Sequence, residues 1–252
     1  MSAAGNAYLL LYNLSLTIGW AYCLYLTYQV VILQHGGPAE LWTVLEFPLK
    51  IVQTSALLEV VHSATGLVRS PLAVTAMQVA SRQWVLWGLL VPLPAATTTG
   101  GIELGEVAGV KLQLSLVSLI VAWGLSEVIR YSFFAFKELG HIPYPSTWLR
   151  YTGFLVLYPV GVSSELAIAW MALPAIRQKQ MWRLTMPNML NFGFDYGMLC
   201  VVVMLTYIPG LPHLYSYMLT QRKKVLSPSA RSHDGKAPAA QAAAGKAAVK
   251  RE

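Results

Sequence analysis

Apolar side chains run almost without interruption through six stretches of the chain, approximately 8–33, 49–68, 72–92, 112–136, 148–174 and 193–219. Each is near the ~20 residues that an α-helix needs to cross a ~30 Å hydrocarbon layer. The pattern therefore predicts an all-α integral membrane protein, a bundle of six transmembrane helices. No basic segment precedes the first stretch and no small-residue cleavage site follows it, so it reads as a retained span rather than a signal peptide. Between the stretches, 34–48 (QHGGPAELWTVLEFP) reads as a Gly/Pro-punctuated loop with a short interfacial helix, and 69–71 (RSP) as a tight turn. In 93–111, Pro94 and the pair Gly100 and Gly101, with Pro92 just ahead, break any helix. From Gln221 the chain loses its bulky apolar residues and becomes rich in Ala, Ser and Lys. Residues 1–220 are thus expected to form the six-helix membrane domain, and 221–252 a disordered, basic, cytosolic tail.

Composition narrows the class. Hydrophobic residues make up 56% of the chain and charged residues 12%, against about 25% charged in an average soluble domain, which excludes an ordinary water-soluble enzyme. The formal charge is +7, and the eight basic and two acidic residues from Gln221 onward account for nearly all of it. The nearly neutral body offers no basic surface for nucleic acid. Basic residues favour the side holding the tail, Arg69, Lys137 and Arg150 over the side holding Lys50, Lys111, Arg177, Lys179 and Arg183. Both ends are therefore expected in the cytosol. Cys23 and Cys200 lie in apolar runs without a partner at metal or redox spacing and read as packing residues.

Ionisable groups at membrane depth cost at least ~2.5–3.5 kcal/mol to insert, so they are where function is sought. They are Glu59 and His62 in the second run, Arg82 with the amide Gln78 in the third, Glu127 and Arg130 in the fourth, Glu165 in the fifth and Asp195 in the sixth. One reading is that they pair with one another, as Glu127 and Arg130 can at i, i+3, and hold helices together. The other is a polar interior built for chemistry. Glu165 stands out because its own helix offers no basic partner: Arg150 lies far upstream and Arg177 beyond the span. A carboxyl that is costly to keep charged suits a group that takes up and returns a proton. Tyr158 precedes it by seven residues, close to two turns, so both project from one face ~10 Å apart along the axis. Pro159 between them kinks the helix, and Gly161 leaves room for a neighbour or a substrate.

Absent motifs restrict the reaction further. The histidines form no HxxH or HxxxH pair, which disfavours histidine-box di-iron enzymes. No GxGxxG or Walker loop signals a nucleotide cofactor. Neither cysteine heads a loop closed by an arginine, so cysteine-phosphatase chemistry is excluded. What remains is a reaction without cofactor or metal run by Tyr158 and Glu165: proton removal beside a carbonyl, coupled to loss of a leaving group.

The segments LEVVHSATGLVRSP (58–71), MQVASR (77–82), IRYSFFAFKELG (129–140), LRYTGFLVLYPVGVSSE (149–165), MPNMLNFGFDYG (186–197) and YMLTQRKKVL (217–226) resemble the very-long-chain 3-hydroxyacyl-CoA dehydratases, the plant PASTICCINO type in particular. The specific element is YPxGxxxE, whose Tyr and Glu the resemblance makes the catalytic pair, here Tyr158 and Glu165. It also implies supporting roles for Arg150, Gly161, Gln78 and Arg82. The implied reaction is loss of water from a (3R)-3-hydroxyacyl-CoA to give the trans-2-enoyl-CoA, the third step of fatty-acid elongation. Implied with it are an endoplasmic reticulum membrane location and three elongase partners: the ketoacyl-CoA synthase, the ketoacyl-CoA reductase and the enoyl-CoA reductase. The residues by themselves leave two other classes open: a small transporter, which intramembrane charges also suit, and a catalytically silent scaffold.

Overall fold

The computed structural model describes residues 3–107, 110–187, 189 and 191–227. They are mostly helical and are organised around α6 (Leu116–Glu138). The first helix, α1 (Ala3–Tyr28), continues through π-helical turns to Leu33. It buries Leu9, Asn13, Leu16, Trp20, Cys23 and Thr27, a stripe that alternates steps of four and three residues. That seven-residue repeat keeps one face turned to a neighbour crossing at a shallow angle. The neighbour is α6, against which α1 packs more extensively than any other pair of elements. Gly124 lets the two helices approach closely, since a Cβ there would stand 2.7 Å from the Leu24 side chain. The polar members of the stripe are satisfied inside their own helix. Asn13 Nδ2 donates to the Leu9 carbonyl and Thr27 Oγ1 to the Cys23 carbonyl, both at 2.8 Å, as a water-free surrounding demands.

On its other side α6 meets α8 (Phe154–Gln178), which carries Pro159 and Pro174 internally. Gly161 sits at this seam, with room for a Cβ 3.5 Å from that of Ala122. One turn along, the Ser118 and Ser164 hydroxyls share a hydrogen bond of 2.7 Å. The other helices are α2 (Pro38–Ser55), α3 (Leu57–Ala64), α4 (Leu72–Gln83) with π-helical turns to Leu90, the short α5 (Pro94–Thr97), α7 (Tyr144–Thr152) and α9 (Tyr196–Leu226). The chain divides into two compact units, the first ending at Pro209. Within the second, the described residues continue α9 to Leu226, with Lys223 and Lys224 in its last turn, where cations complement the exposed carbonyls.

Among the described residues four helices are long and apolar enough to cross a membrane: Ala3–Leu33, Leu116–Glu138, Phe154–Gln178 and Tyr196–Leu226. Their outward positions carry large apolar side chains, among them Leu11, Ile18, Val156 and Trp170, which suits contact with lipid.

Several expectations need correction. The second apolar run, 49–68, is not one helix: α2 ends at Ser55 and α3 starts at Leu57. The presumed loop 34–48 is mostly α2, because Gly37 adopts an extended N-cap conformation, Pro38 occupies the first helical turn, and Glu40 Oε2 accepts the Gly37 N–H at 2.9 Å. The fold is not wholly α. Strands β1 (Gly101–Val107) and β2 (Val110–Ser115) form an antiparallel hairpin, so the fourth helix starts at Leu116 rather than 112. Residues 221–226, assigned to the tail, are the end of α9; the rest of the expected tail, from 228 on, lies outside the described residues.

Candidate active site

Two buried polar clusters flank α6. The first joins three helices in an alternating chain of charges. Both Glu127 oxygens are taken by guanidinium groups, one by Arg82 of α4 and the other by Arg130 Nε at 2.7 Å. Arg130 in turn makes a two-pronged contact with Glu59 of α3, at 2.6 and 2.7 Å. Tyr131 donates to the same Glu59 carboxylate and lies under the Arg130 guanidinium, 4.2 Å from ring centre to carbon. Two carboxylates and two guanidiniums in alternation cancel, and Arg130 is shared between both carboxylates and bidentate to Glu59, the geometry that lets charges stay buried. For Glu59, Arg82, Glu127 and Arg130 the pairing reading holds. His62 hydrogen-bonds to Tyr8 at 2.9 Å and meets this cluster through Tyr12, whose ring packs edge-on against both His62 and Tyr131.

Glu165 is held differently. It is buried on α8, and Trp123 Nε1 donates to its Oε1 at 2.8 Å while the Tyr207 hydroxyl of α9 donates to its Oε2 at 2.8 Å. Both donors are neutral, and no cation touches the carboxyl in the described structure. Trp123 reaches it because α6 and α8 are pinned at Ala122 opposite Gly161 and at Ser118 with Ser164, which brings the next α6 residue to Glu165. Half-buried Tyr158, two turns earlier, is within electrostatic reach of both Glu165 and Tyr207. A proton-accepting carboxyl, a phenol on the same helix and a second phenol thus share one region.

The other candidate residues fall outside this region or at its edge. Gln78 is exposed on α4 and takes no part in the ionic chain that contains Arg82. Arg150, on α7, stacks its guanidinium on Phe133 and Phe134 of α6, 5.1 and 4.8 Å from the ring centres. Asp195 is a cap: its Oδ1 accepts the Met198 N–H at 3.0 Å at the head of α9. Cys23 and Cys200 are buried and unpaired. Sequence reasoning missed Trp123, Tyr207 and Tyr131. The position of Trp123 four residues before Glu127 put it on a polar helix face; nothing in the apolar run around Tyr207 marked it.

Residues 53–228 match the family described as protein tyrosine phosphatase-like protein, PTPLA. The chain is 41% identical over 232 residues to the very-long-chain (3R)-3-hydroxyacyl-CoA dehydratase PASTICCINO 2 of Arabidopsis thaliana, an alignment covering 92% of this chain and 98% of that one. It is 40% identical over 224 residues to the Homo sapiens very-long-chain (3R)-3-hydroxyacyl-CoA dehydratase 2, covering 88% and 82%. To the Caenorhabditis elegans dehydratase hpo-8 it is 43% identical over 223 residues, covering 88% and 95%. No solved structure matches.

Proposed function

Because the chain belongs to the protein tyrosine phosphatase-like family of very-long-chain (3R)-3-hydroxyacyl-CoA dehydratases, we propose that it removes water from a (3R)-3-hydroxyacyl-CoA to leave the trans-2-enoyl-CoA. It is then a carbon–oxygen lyase at the third step of fatty-acid elongation. The observation that carries the reading is the buried Glu165 carboxyl, held by neutral donors and two turns beyond Tyr158 on the same helix. Such a carboxyl can gain and lose a proton without breaking an ion pair.

In the reaction, Glu165 takes the proton from C2, the electrons of that C–H bond form the C2–C3 double bond, and the C3–O bond breaks. Tyr158 protonates the departing hydroxyl, which leaves as water. Glu165 then holds one proton more and Tyr158 one fewer, and passing that proton between them resets the site. A phenol keeps its proton at neutral pH and suits donation, whereas a carboxylate suits acceptance. Tyr158 lies about one turn into α8 and Glu165 about three. The CoA head group therefore belongs near the start of α8, where Arg150, helped by Lys137, receives its phosphates. The acyl chain lies among apolar side chains deeper in the bundle.

The wider setting extends this reading. The six-span arrangement has its second span at 49–68, over the end of α2 and all of α3, and its third at 72–92, over α4 with its π-helical continuation, with both termini cytosolic in the endoplasmic reticulum membrane. The ketoacyl-CoA synthase and ketoacyl-CoA reductase act in turn to supply the hydroxyacyl-CoA, and the enoyl-CoA reductase consumes the enoyl-CoA. The test is turnover by the purified chain in lipid, followed by enoyl-thioester absorbance. Wild type should form enoyl-CoA, and Tyr158→Phe should lose ~10²–10⁴ in kcat. Absence of product from folded wild-type protein, or wild-type turnover by Tyr158→Phe, overturns the proposal.

A further inference from the structure

Dehydration asks for a base, an acid and an ordered approach to C2, and a carboxyl that swings freely meets the last need badly. Glu165 does not swing. Each of its oxygens accepts one hydrogen bond, from Trp123 on α6 and Tyr207 on α9, both at 2.8 Å, and each donor is 42 positions from it in sequence. Bonds on both oxygens from two different helices fix the plane of the carboxyl as well as its position. Each oxygen has two acceptor directions, so the donors leave one on either side for an incoming proton.

The two donors are not equivalent. An indole N–H can only donate, and the hydroxyl oxygen of a protonated carboxyl is a weak acceptor, so protonation on the Trp123 side would weaken that bond; a phenol can donate or accept, so the oxygen facing Tyr207 can become the O–H and keep its partner. The indole is buried, at 4% exposure, and Ala122 beside it is packed against Gly161, so Trp123 has little freedom to move away. Tyr207 is partly exposed, has Ser81 of α4 beside its hydroxyl and lies within electrostatic reach of Tyr158.

We propose that Trp123 and Tyr207 are positioning residues for the dehydration, holding the Glu165 carboxyl in one plane and making the oxygen that faces Tyr207 the one that exchanges the proton with C2. The proposal rests on the reading of Glu165 as the base. In each cycle the C2–H bond breaks, the proton goes to that oxygen, and the Trp123 hydrogen bond is kept throughout.

The experiment compares Tyr207→Phe, Trp123→Phe and Trp123→His with wild type and Glu165→Gln, in the purified full chain reconstituted in lipid. A hydrogen bond to a charged group is worth enough to predict a fall in kcat of roughly 10- to 100-fold for Tyr207→Phe. KM for the hydroxyacyl-CoA and Tm in detergent should stay close to wild type, because the phenyl ring keeps its place. Trp123→Phe should fall similarly, and Trp123→His, which restores a ring N–H, should recover part of the rate. In the Glu165→Gln background neither substitution should cost anything further, since both act through that carboxyl. Additive losses, or losses that follow Tm and KM, would make the two residues structural only and overturn the proposal. Wild-type kcat in Tyr207→Phe and Trp123→Phe beside an inactive Glu165→Gln would overturn it and leave the base assignment standing. An active Glu165→Gln would overturn the base assignment itself and, with it, this inference.

Discussion

Glu127 and Glu165 are buried carboxyls on adjacent helices, one facing each polar cluster, and their surroundings differ in one respect. Glu127 is gripped by two guanidinium groups, and Glu165 by an indole and a phenol. Protonating Glu127 would leave Arg82 without its partner and weaken the hold on Arg130, so its charge is locked by the fold. Protonating Glu165 rearranges hydrogen bonds and strands no charge. Burial alone therefore does not mark a proton-transfer group: on the proposed reading, the charge of the partners separates a carboxyl that holds helices together from one able to exchange a proton.

The largest expected effects set these two side by side. Glu165→Gln keeps the shape but cannot take the C2 proton, so kcat should drop ~10²–10⁴, with normal accumulation and a Tm near wild type. Glu127→Gln should do the reverse. Removing one member of a buried ion pair costs about 3–5 kcal/mol, so Tm and folded yield should fall steeply while turnover per folded molecule stays within a few-fold of wild type. Thermal unfolding in detergent and active-site-normalised kinetics on the same two preparations decide the matter. If both variants lose stability and rate in parallel, the distinction between the two carboxyls fails.

How much of this could be read in advance follows from how local each feature is. The first, fourth, fifth and sixth apolar runs each marked a helix long and apolar enough to cross a membrane, because hydrocarbon-facing helices need nothing but length and apolarity. The pairing of Glu127 with Arg130 was legible at i, i+3. The hairpin was missed although its sequence announces it: VKLQLS alternates apolar and polar positions with a period of two, and IEL does so up to the register shift at Gly105, a signal overshadowed by the apolar run that follows. Residues 34–48 read as a loop with only a short interfacial helix when Gly and Pro are counted as breakers, whereas their order, Gly37 and then Pro38, is that of a helix start. Of the donors to Glu165, Trp123 was marked only as lying on the polar face of α6, and its partner could not be named; Tyr207 was not marked at all. Each lies 42 residues away, and spacing carries no information about contacts made by helix packing.

The seams on either side of α6 give a test of intermediate size. A Cβ on Gly124 would stand 2.7 Å from Leu24, whereas one on Gly161 would meet Ala122 at an ordinary 3.5 Å. Gly124→Ala should therefore displace Leu24 and cost about 1–3 kcal/mol. Gly161→Ala should be near neutral in Tm, the added methyl filling available space. A large loss of Tm in Gly161→Ala would mean that α6 and α8 approach more closely than described, and would put the placement of Trp123 over Glu165 in question.

The smallest effect is expected at a third carboxyl, which serves as the exposed reference for the other two. Asp195 caps α9 through the Met198 N–H, and its contact with Arg183 is long, 3.5 Å, between side chains 49% and 45% exposed. An ion pair that wet contributes little, so nearly all the worth of Asp195 is the cap. Asp195→Asn keeps a side-chain oxygen able to accept the Met198 N–H and should leave Tm unchanged within error; Asp195→Ala removes the acceptor and should cost about 1 kcal/mol. Neither should alter kcat, because the carboxyl touches neither polar cluster beside α6. Equal losses in Asn and Ala would show that charge matters even here, at the water-exposed end of the series, and the rule drawn from Glu127 and Glu165 would then need the field of the whole bundle rather than the nearest partners.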